Sequence, residues 1–262
     1  MTTVMDFAAL DTLPRIGLAD LEERAALQTR VDRKYVMPLD AAGLLLETLA
    51  PHAVVLEING IRQFAYESLY FDTPELSGYH RTAHRHRRRF KVRTRTYVDS
   101  GSCWLEVKVP GPRGSTVKYR APHDREQQHT VAAGRAFVDD VFSRHGLPAG
   151  HHVVLASALR TEYLRFTLLL PDTDSRVTVD TALRWSTGDD EVRLPGTAIV
   201  ETKTGSAASR ADRELWRRGH RPVAFSKYAT GLAALRTDLP AAPWRRVLRR
   251  HFTAAREELV HG

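Results

Sequence analysis

The chain has 262 residues, 39 of them Lys or Arg and 31 Asp or Glu, for a formal charge of +8 at pH 7. Hydrophobic residues make up 42% and charged residues 27%, an ordinary globular balance with enough apolar mass for a sizeable core. The single cysteine, Cys103, excludes an intramolecular disulfide and fits a reducing cytosol, and no run approaches the length and apolarity of a transmembrane helix.

Residues 1–17 read as a loose arm without the basic start of a secretory leader. Asp20 is placed to cap a short helix over 21–27, and alternation over 30–37 predicts a strand ended by Pro38. A helix over 40–49, capped by Asp40, stops before Pro51. Strands are expected at 54–58 and 63–71, then a helix at 75–81 opened by Thr73 and Pro74, with Asp72 as its cap. Three strands follow at 89–98, 103–109 and 116–121, separated by Gly- and Pro-rich turns. A helix over 131–145 ends at Gly146 and Pro148. A long hairpin over 153–170 and 176–185 turns at Pro171-Asp172-Thr173-Asp174, and 197–204 is a further strand. Helices over 207–217 and 226–236 precede a terminal amphipathic helix over 243–258, with Trp244, Val247, Leu248 and Phe252 on one side. Eight or nine strands in consecutive runs and six helices predict an antiparallel α+β fold. The expected division is an arm over 1–27, a main domain over 28–240 and a C-terminal helix over 241–262 packed on it.

Side chains alternate faces along a strand. Taking every second residue gives Arg30, Asp32 and Lys34, then Lys91, Arg93 and Arg95, then Glu106 and Lys108, then Lys118 and Arg120. Later strands give Arg160 and Glu162, then Arg176, Thr178 and Asp180, then Glu201 and Lys203. The alternate positions, among them Val31, Tyr35, Val92, Leu105, Val107, Leu159, Val177, Val179 and Val200, are largely apolar. For one strand, a solvated outer face is the ordinary reading; recurrence over six strands favours a function. This charged face carries eleven basic and five acidic residues, and so +6 of the chain's +8. Crowded Arg and Lys call for a compensating anion, and Arg forks with Lys point charges match phosphate oxygens. The carboxylates, chiefly Glu201 and Asp32, suit a hard divalent cation such as Mn²⁺ or Mg²⁺. Glu201 has a second reading, as an ion-pair partner of Lys203.

The segments Arg30-Val31-Asp32-Arg33-Lys34-Tyr35, Tyr70-Phe71-Asp72-Thr73 and Lys91-Val92-Arg93-Thr94-Arg95-Thr96-Tyr97 resemble those of VTC (vacuolar transporter chaperone) domains. Leu105-Glu106-Val107-Lys108, Lys118-Tyr119-Arg120, Leu159-Arg160-Thr161, Arg176 to Thr181, Val200 to Lys203 and Ser226-Lys227-Tyr228 follow in the same order. The resemblance covers about 28–236 and implies a triphosphate tunnel metalloenzyme: a closed antiparallel β tunnel of about eight strands with helices outside. It implies a cytoplasmic, metal-dependent polyphosphate polymerase moving the γ-phosphate of ATP onto a growing inorganic polyphosphate chain. By motif, Arg93, Arg95, Lys108, Arg160 and Arg176 would act on the transferred group. Lys34, Lys91, Lys118, Arg120, Lys203 and Lys227 would hold phosphates, and Glu201 and Asp32 the metal. Asp32 stands where the family usually has Glu, and Ala224 where eukaryotic polymerases have a second Lys. The eukaryotic membrane helices have no counterpart in this sequence, so membrane coupling would need a partner in another chain.

Other expectations compete. The same fold could hydrolyse triphosphate, or bind polyphosphate without turnover; nucleic acid is not the expected partner, because exposed aromatic platforms are lacking. Cys103 reads as a packed strand residue. His80, His84 and His86 sit among Arg81, Arg85, Arg87, Arg88 and Arg89, which disfavours a cation and reads as a solvated basic segment, one that could guide a polyanion. No phosphate-binding Gly-x-x-x-x-Gly-Lys-Ser/Thr loop is present.

Overall fold

A computed structural model describes residues 7, 9–26, 31–112, 115–150, 153–205 and 207–253. Its strands are β1 (Arg15–Ile16), β2 (Val31–Pro38), β3 (Val54–Leu56), β4 (Phe64–Asp72), β5 (Lys91–Tyr97), β6 (Ser102–Pro110), β7 (Thr116–His123), β8 (Ala156–Leu170), β9 (Ser175–Thr187), β10 (Asp190–Leu194) and β11 (Thr197–Thr204). Its helices are α1 (Ala9–Thr12), α2 (Leu18–Ala26), α3 (Leu39–Leu49), α4 (Ser77–Ala83), α5 (Arg135–Arg144), α6 (Arg210–Arg217), α7 (Lys227–Leu235) and α8 (Arg245–His251). The fold is α+β with a large antiparallel sheet, in which only the short β1–β3 pair is parallel among the described pairings.

The chain forms two compact units, and β8 and β9 contribute to both. The first contains the residues up to Phe64 with Tyr163–Leu183 and Arg193–Ala224. Its strand order is β2-β11-β9-β8, with β3 also paired to β8. One face of these strands supplies Tyr35, Met37, Val177, Val179, Ala198, Val200, Phe166, Leu168 and Leu170 to a core shared with Leu45, Leu46 and Leu49 of α3 and Ala211 and Leu215 of α6. Burying each large apolar side chain contributes roughly 1.5–3 kcal/mol, so the register of every strand here is fixed by its apolar positions.

The second unit contains Ala65–Glu162, Arg184–Val192 and the residues from Phe225 on. Its strand order is β8-β4-β5-β6-β7, with β10 paired to β9. Leu69, Phe71, Val92, Leu105, Val107 and Val109 pack against Val138, Val141 and Phe142 of α5.

One expectation is met only in part, and two are corrected. Among the described residues the strand order is open, ending at β2 in one unit and β7 in the other, so tunnel closure is not part of the pairing. Along β7 exposed and half-buried residues alternate and none is fully buried, as befits an edge strand. Second, α4 starts at Ser77 rather than at 75, because Leu76 takes a left-handed conformation (φ 54°) that delays the first turn. Third, α1, β1 and β10 exist besides the expected elements; runs of two to five residues carry too little periodicity to be read. Arg30 and the end of the predicted terminal helix lie outside the described residues. No described helix is long and apolar enough to cross a membrane.

Candidate functional site

Directly opposed residues of an antiparallel pair project from the same face. In the second unit Tyr70 opposes Arg93, Arg93 opposes Glu106, and Glu106 opposes Arg120. Lys91, Lys108 and Lys118 form the next row, and Ser68, Arg95, Trp104 and Pro122 the row on the other side. Lys91, Arg93, Arg95, Lys108, Lys118 and Arg120 thus share one face of β5, β6 and β7 with a single carboxylate, Glu106. The other face of the same strands is the α5 core.

Glu106 is 1% exposed. Its Oε2 accepts from Arg93 Nε at 2.8 Å and Nη2 at 2.5 Å, and Lys118 Nζ lies 3.6 Å from Oε1. Burial alone would raise the Glu106 carboxyl; Arg93, Arg95, Lys108 and Lys118 outweigh it and hold the group well below the usual carboxylate range. Partial desolvation lowers the Lys118 ammonium, Glu106 opposes that shift, and Arg120, Arg95 and Arg93 add to it. Arg93 also donates from Nη1 to Tyr70 Oη at 2.9 Å. Each arginine lies over a ring: Arg93 over Tyr70, Arg95 over Tyr66 and Arg120 over Trp104. The forks are thereby held in fixed orientations.

In the first unit Lys34 opposes Glu201 and Asp32 opposes Lys203, while Glu201 and Lys203 oppose Thr178 and Arg176 of β9. Asp180 is two residues further along the same face. Lys203 Nζ reaches Asp32 Oδ2 and Glu201 Oε1 at 3.2 Å each, and Lys34 Nζ lies 3.9 Å from Glu201 Oε2. Arg165 binds both oxygens of Asp180, Nε at 2.5 Å and Nη2 at 2.8 Å. Four cations here face three carboxylates.

This second set bears on a metal. The described residues contain no group of three or more His, Cys, Asp or Glu able to hold an ion. A metal cage made of protein alone does not fit. Mg²⁺ or Mn²⁺ held by one or two carboxylates, with phosphate oxygens completing the shell, does fit. Glu201 and Asp32, now both bonded to Lys203, are the carboxylates that could supply such a shell, and the buried Thr178 Oγ1, in the residue opposite Glu201, has no hydrogen-bond partner among the described residues.

A family model, the VTC domain, matches residues 29–236. The chain belongs to the VTC domain family. Curated proteins give no match in sequence. Among solved structures, the fold is shared with a Hippeastrum protein described as a putative adenylyl cyclase with a dominant triphosphatase activity, at 17% identity over 81% of this chain and 98% of that one, TM-score 0.51. It is also shared with a putative adenylate cyclase from Bacillus halodurans, at 14% identity over 76% and 94%, TM-score 0.50.

The structure of this VTC domain brings together Lys91, Arg93, Arg95, Lys108, Lys118 and Arg120 in one unit, and Asp32, Lys34, Arg176, Glu201 and Lys203 in the other. Arg160 joins neither set. It pairs with Glu67 at 3.0 Å and Glu162 at 3.1 Å, and Glu67 opposes Thr96, away from Arg93 and Arg95. Along β8, Arg160 keeps the even register of Phe166, Leu168 and Leu170, which are core residues; Arg165 has the odd register and lies over Tyr163. Arg165, which holds Asp180, is a charged residue beside this set that the sequence motifs did not single out. Matching the apolar register of Phe166, Leu168 and Leu170 to that of Val177 and Val179 would have found it.

Two buried aspartates explain the family motifs. In the VTC opening motif, Asp32 and Lys34 project to the charged face, while Arg33 and Tyr35 reach Asp212 on the core side at 3.2 and 2.7 Å. Asp212 also accepts from Thr202 and from Ser209, whose side chain caps α6. Burial would raise the Asp212 carboxyl, but these donors hold it low. Asp72 takes the backbone N–H of Gly78 and Tyr79 at 2.8 Å and the Tyr228 hydroxyl at 2.5 Å. It caps α4 from four residues upstream of Leu76, not from the cap position itself. Tyr228 stacks on Tyr70, with centroids 5.1 Å apart, so the start of α7 with Lys227 is tied to the Arg93 row. Cys103 is buried and its thiol is pushed up by burial, as expected of a packed strand residue. The rings of His80 and His84 stack at 6.4 Å, with His84 and His86 exposed.

Proposed function

We propose that this chain is a metal-dependent polyphosphate polymerase transferring the γ-phosphate of ATP to a growing polyphosphate chain. The observation that carries the reading is the face with six cations and one carboxylate. In water such a face repels itself, and a polyanion with about one charge per phosphate relieves it. Arg95, over Tyr66, and Arg93, whose Nε and Nη2 are held by Glu106, would grip phosphoryl oxygens, and Lys91, Lys108, Lys118 and Arg120 would hold neighbouring phosphates. Lys34, Arg176, Lys203 and Lys227 would hold further phosphates, and Arg165 takes the transfer role that the motif gave to Arg160. Glu201 and Asp32 would hold Mn²⁺ or Mg²⁺, which when bound neutralises charge on bridging phosphate oxygens. Catalysis is then positioning and charge neutralisation, without a nucleophilic side chain. Closure of the sheet into a tunnel belongs to this proposal, as does a cytosolic site of action where ATP is at hand.

The test is incubation of the pure protein with ATP and Mn²⁺, staining for polyphosphate and assaying free phosphate. Polymer is expected. Phosphate released from ATP or tripolyphosphate without polymer favours a triphosphatase, the activity ascribed to the Hippeastrum protein. Tight binding with no turnover, unchanged in Glu201→Gln, would leave a polyphosphate-binding module.

A further inference from the structure

The basic face of the second unit is not uniform along its strands. At one end Lys91, Lys108 and Lys118 stand directly opposite one another. Arg93, Glu106 and Arg120 follow, then Arg95 beside Trp104. At the far end Tyr66 opposes Tyr97, with centroids 5.1 Å apart. Tyr66, Tyr97 and Trp104 are half-buried, so each ring keeps accessible surface. From the Lys91 row to the Tyr97 row is six residues, roughly 20 Å at strand rise, a span that accommodates an extended nucleoside triphosphate.

The ring faces of Tyr97 and Trp104 offer stacking, which a phosphate chain cannot use and a flat base can, whereas the three ammonium groups offer the point charges that match phosphate. Arg120 over Trp104 and Arg95 over Tyr66 make planar layers on which another flat group can stack. We infer that the Tyr66–Tyr97–Trp104 end of this face receives the base of the nucleoside triphosphate, while the Lys91–Lys108–Lys118 end receives phosphate chain. The face then has a direction, with the nucleotide entering base-last from the turn between β5 and β6. This inference rests on the phosphotransferase reading above and adds to it the subsite for the nucleoside.

Calorimetric titration of the whole chain in Mg²⁺ tests it, with ATP, ribose 5-triphosphate and tripolyphosphate as ligands. ATP is expected to bind wild type about tenfold more tightly than ribose 5-triphosphate, which has the same phosphates and no base, since stacking one base is worth ~1–3 kcal/mol. Trp104→Leu should abolish most of the ratio between ATP and ribose 5-triphosphate affinities, whatever loosening of Arg120 does to all three ligands alike, and Trp104→Phe should restore it. Equal affinity of wild type for ATP and ribose 5-triphosphate overturns the inference while leaving phosphate binding intact; this comparison needs no variant to fold. A Trp104→Leu protein that loses ATP and tripolyphosphate equally also overturns it. If tripolyphosphate does not bind wild type at all, the phosphotransferase reading fails, and the subsite fails with it.

Discussion

Arg160 and Arg165 are five positions apart on β8 and therefore on opposite faces of it. Arg160 is 44% exposed and shared between two glutamates, an arrangement that contributes little in water. Arg165 is 15% exposed and holds both oxygens of the buried Asp180. If the chain carries out the proposed phosphotransfer, Arg165→Ala is expected to cut its rate by about a hundredfold, as for removal of one preorganised donor, and Arg160→Ala by less than about threefold. A steady-state comparison of the two variants decides the matter; the reverse ranking would return the role to Arg160. The motif Leu159-Arg160-Thr161 names Arg160, and sequence order alone does not say which side of the strand an apolar run will claim, so this comparison weighs the motif against the Asp180 contact of Arg165.

Glu106 is the one anion among six cations of its face, and its effect on stability follows from its carboxyl being held low. Such a group stabilises the folded chain above its ordinary value of 4.5 and loses that contribution as pH falls below it toward the folded value. Glu106→Gln should therefore cost about 3 kcal/mol at pH 7, since it breaks a buried pair and leaves Arg93 uncompensated. The gap between variant and wild type should narrow below about pH 4, where the unfolded chain binds the proton that the folded chain refuses. Urea melts of both proteins at pH 7 and pH 3 measure this; a gap independent of pH would show that the charge of Glu106 is not what matters.

Helix α4 and helix α7 are both fastened to Asp72, which makes an element-scale test possible. Gly78 sits in the first turn of α4, where Ala would normally gain about 1 kcal/mol of helix propensity. A Cβ at Gly78 would stand 3.1 Å from both Asp72 oxygens and 3.0 Å from Phe90 Cε2. Asp72 cannot retreat without loosening its bonds to Gly78, Tyr79 and Tyr228. Gly78→Ala is expected to destabilise the protein by about 1–2 kcal/mol, the cost of overpacking. Thermal melts would show it, and a neutral or stabilising result would mean that Asp72 has slack. Much of this element was legible beforehand: Thr73-Pro74 marked the approach to a helix and Asp72 its cap. The left-handed Leu76, which postpones the helix, carries no sequence signal, because a leucine adopts that conformation only when the surrounding contacts demand it. The strands were read well for the opposite reason. Val92, Val107, Val177, Val179 and Val200 announce the buried face of each, and the charges follow by alternation.

At the scale of the whole chain the excess charge is accounted for by the two strand faces. Replacing Arg160, Glu162 and the undescribed Arg30 by Arg165 leaves ten cations and four carboxylates on them, again +6 of the total +8. The other 29 basic and 27 acidic residues nearly cancel. Closure was not legible in the same way, since alternation fixes which face a residue takes but not whether the last strands meet. The charge distribution has a measurable consequence. Because the excess lies on faces rather than over the surface, an anion that binds there should stabilise the fold, and salt should compete with it. Tripolyphosphate at about 100 times its Kd is expected to raise stability by about 2.7 kcal/mol. Raising salt from about 0.1 M to 1 M shrinks the screening length from about 10 Å to 3 Å and should remove most of that gain. Lys118→Ala, at the exposed end of the face, should lower the affinity and also flatten its salt dependence, whereas Arg236→Ala, whose partner Asp238 already neutralises it at 2.8 Å, should change neither. Melting curves with and without tripolyphosphate at the two salt concentrations give all three comparisons. Equal losses from the two variants would mean that the anion is held by the overall charge of the molecule and not by the β5–β6–β7 face.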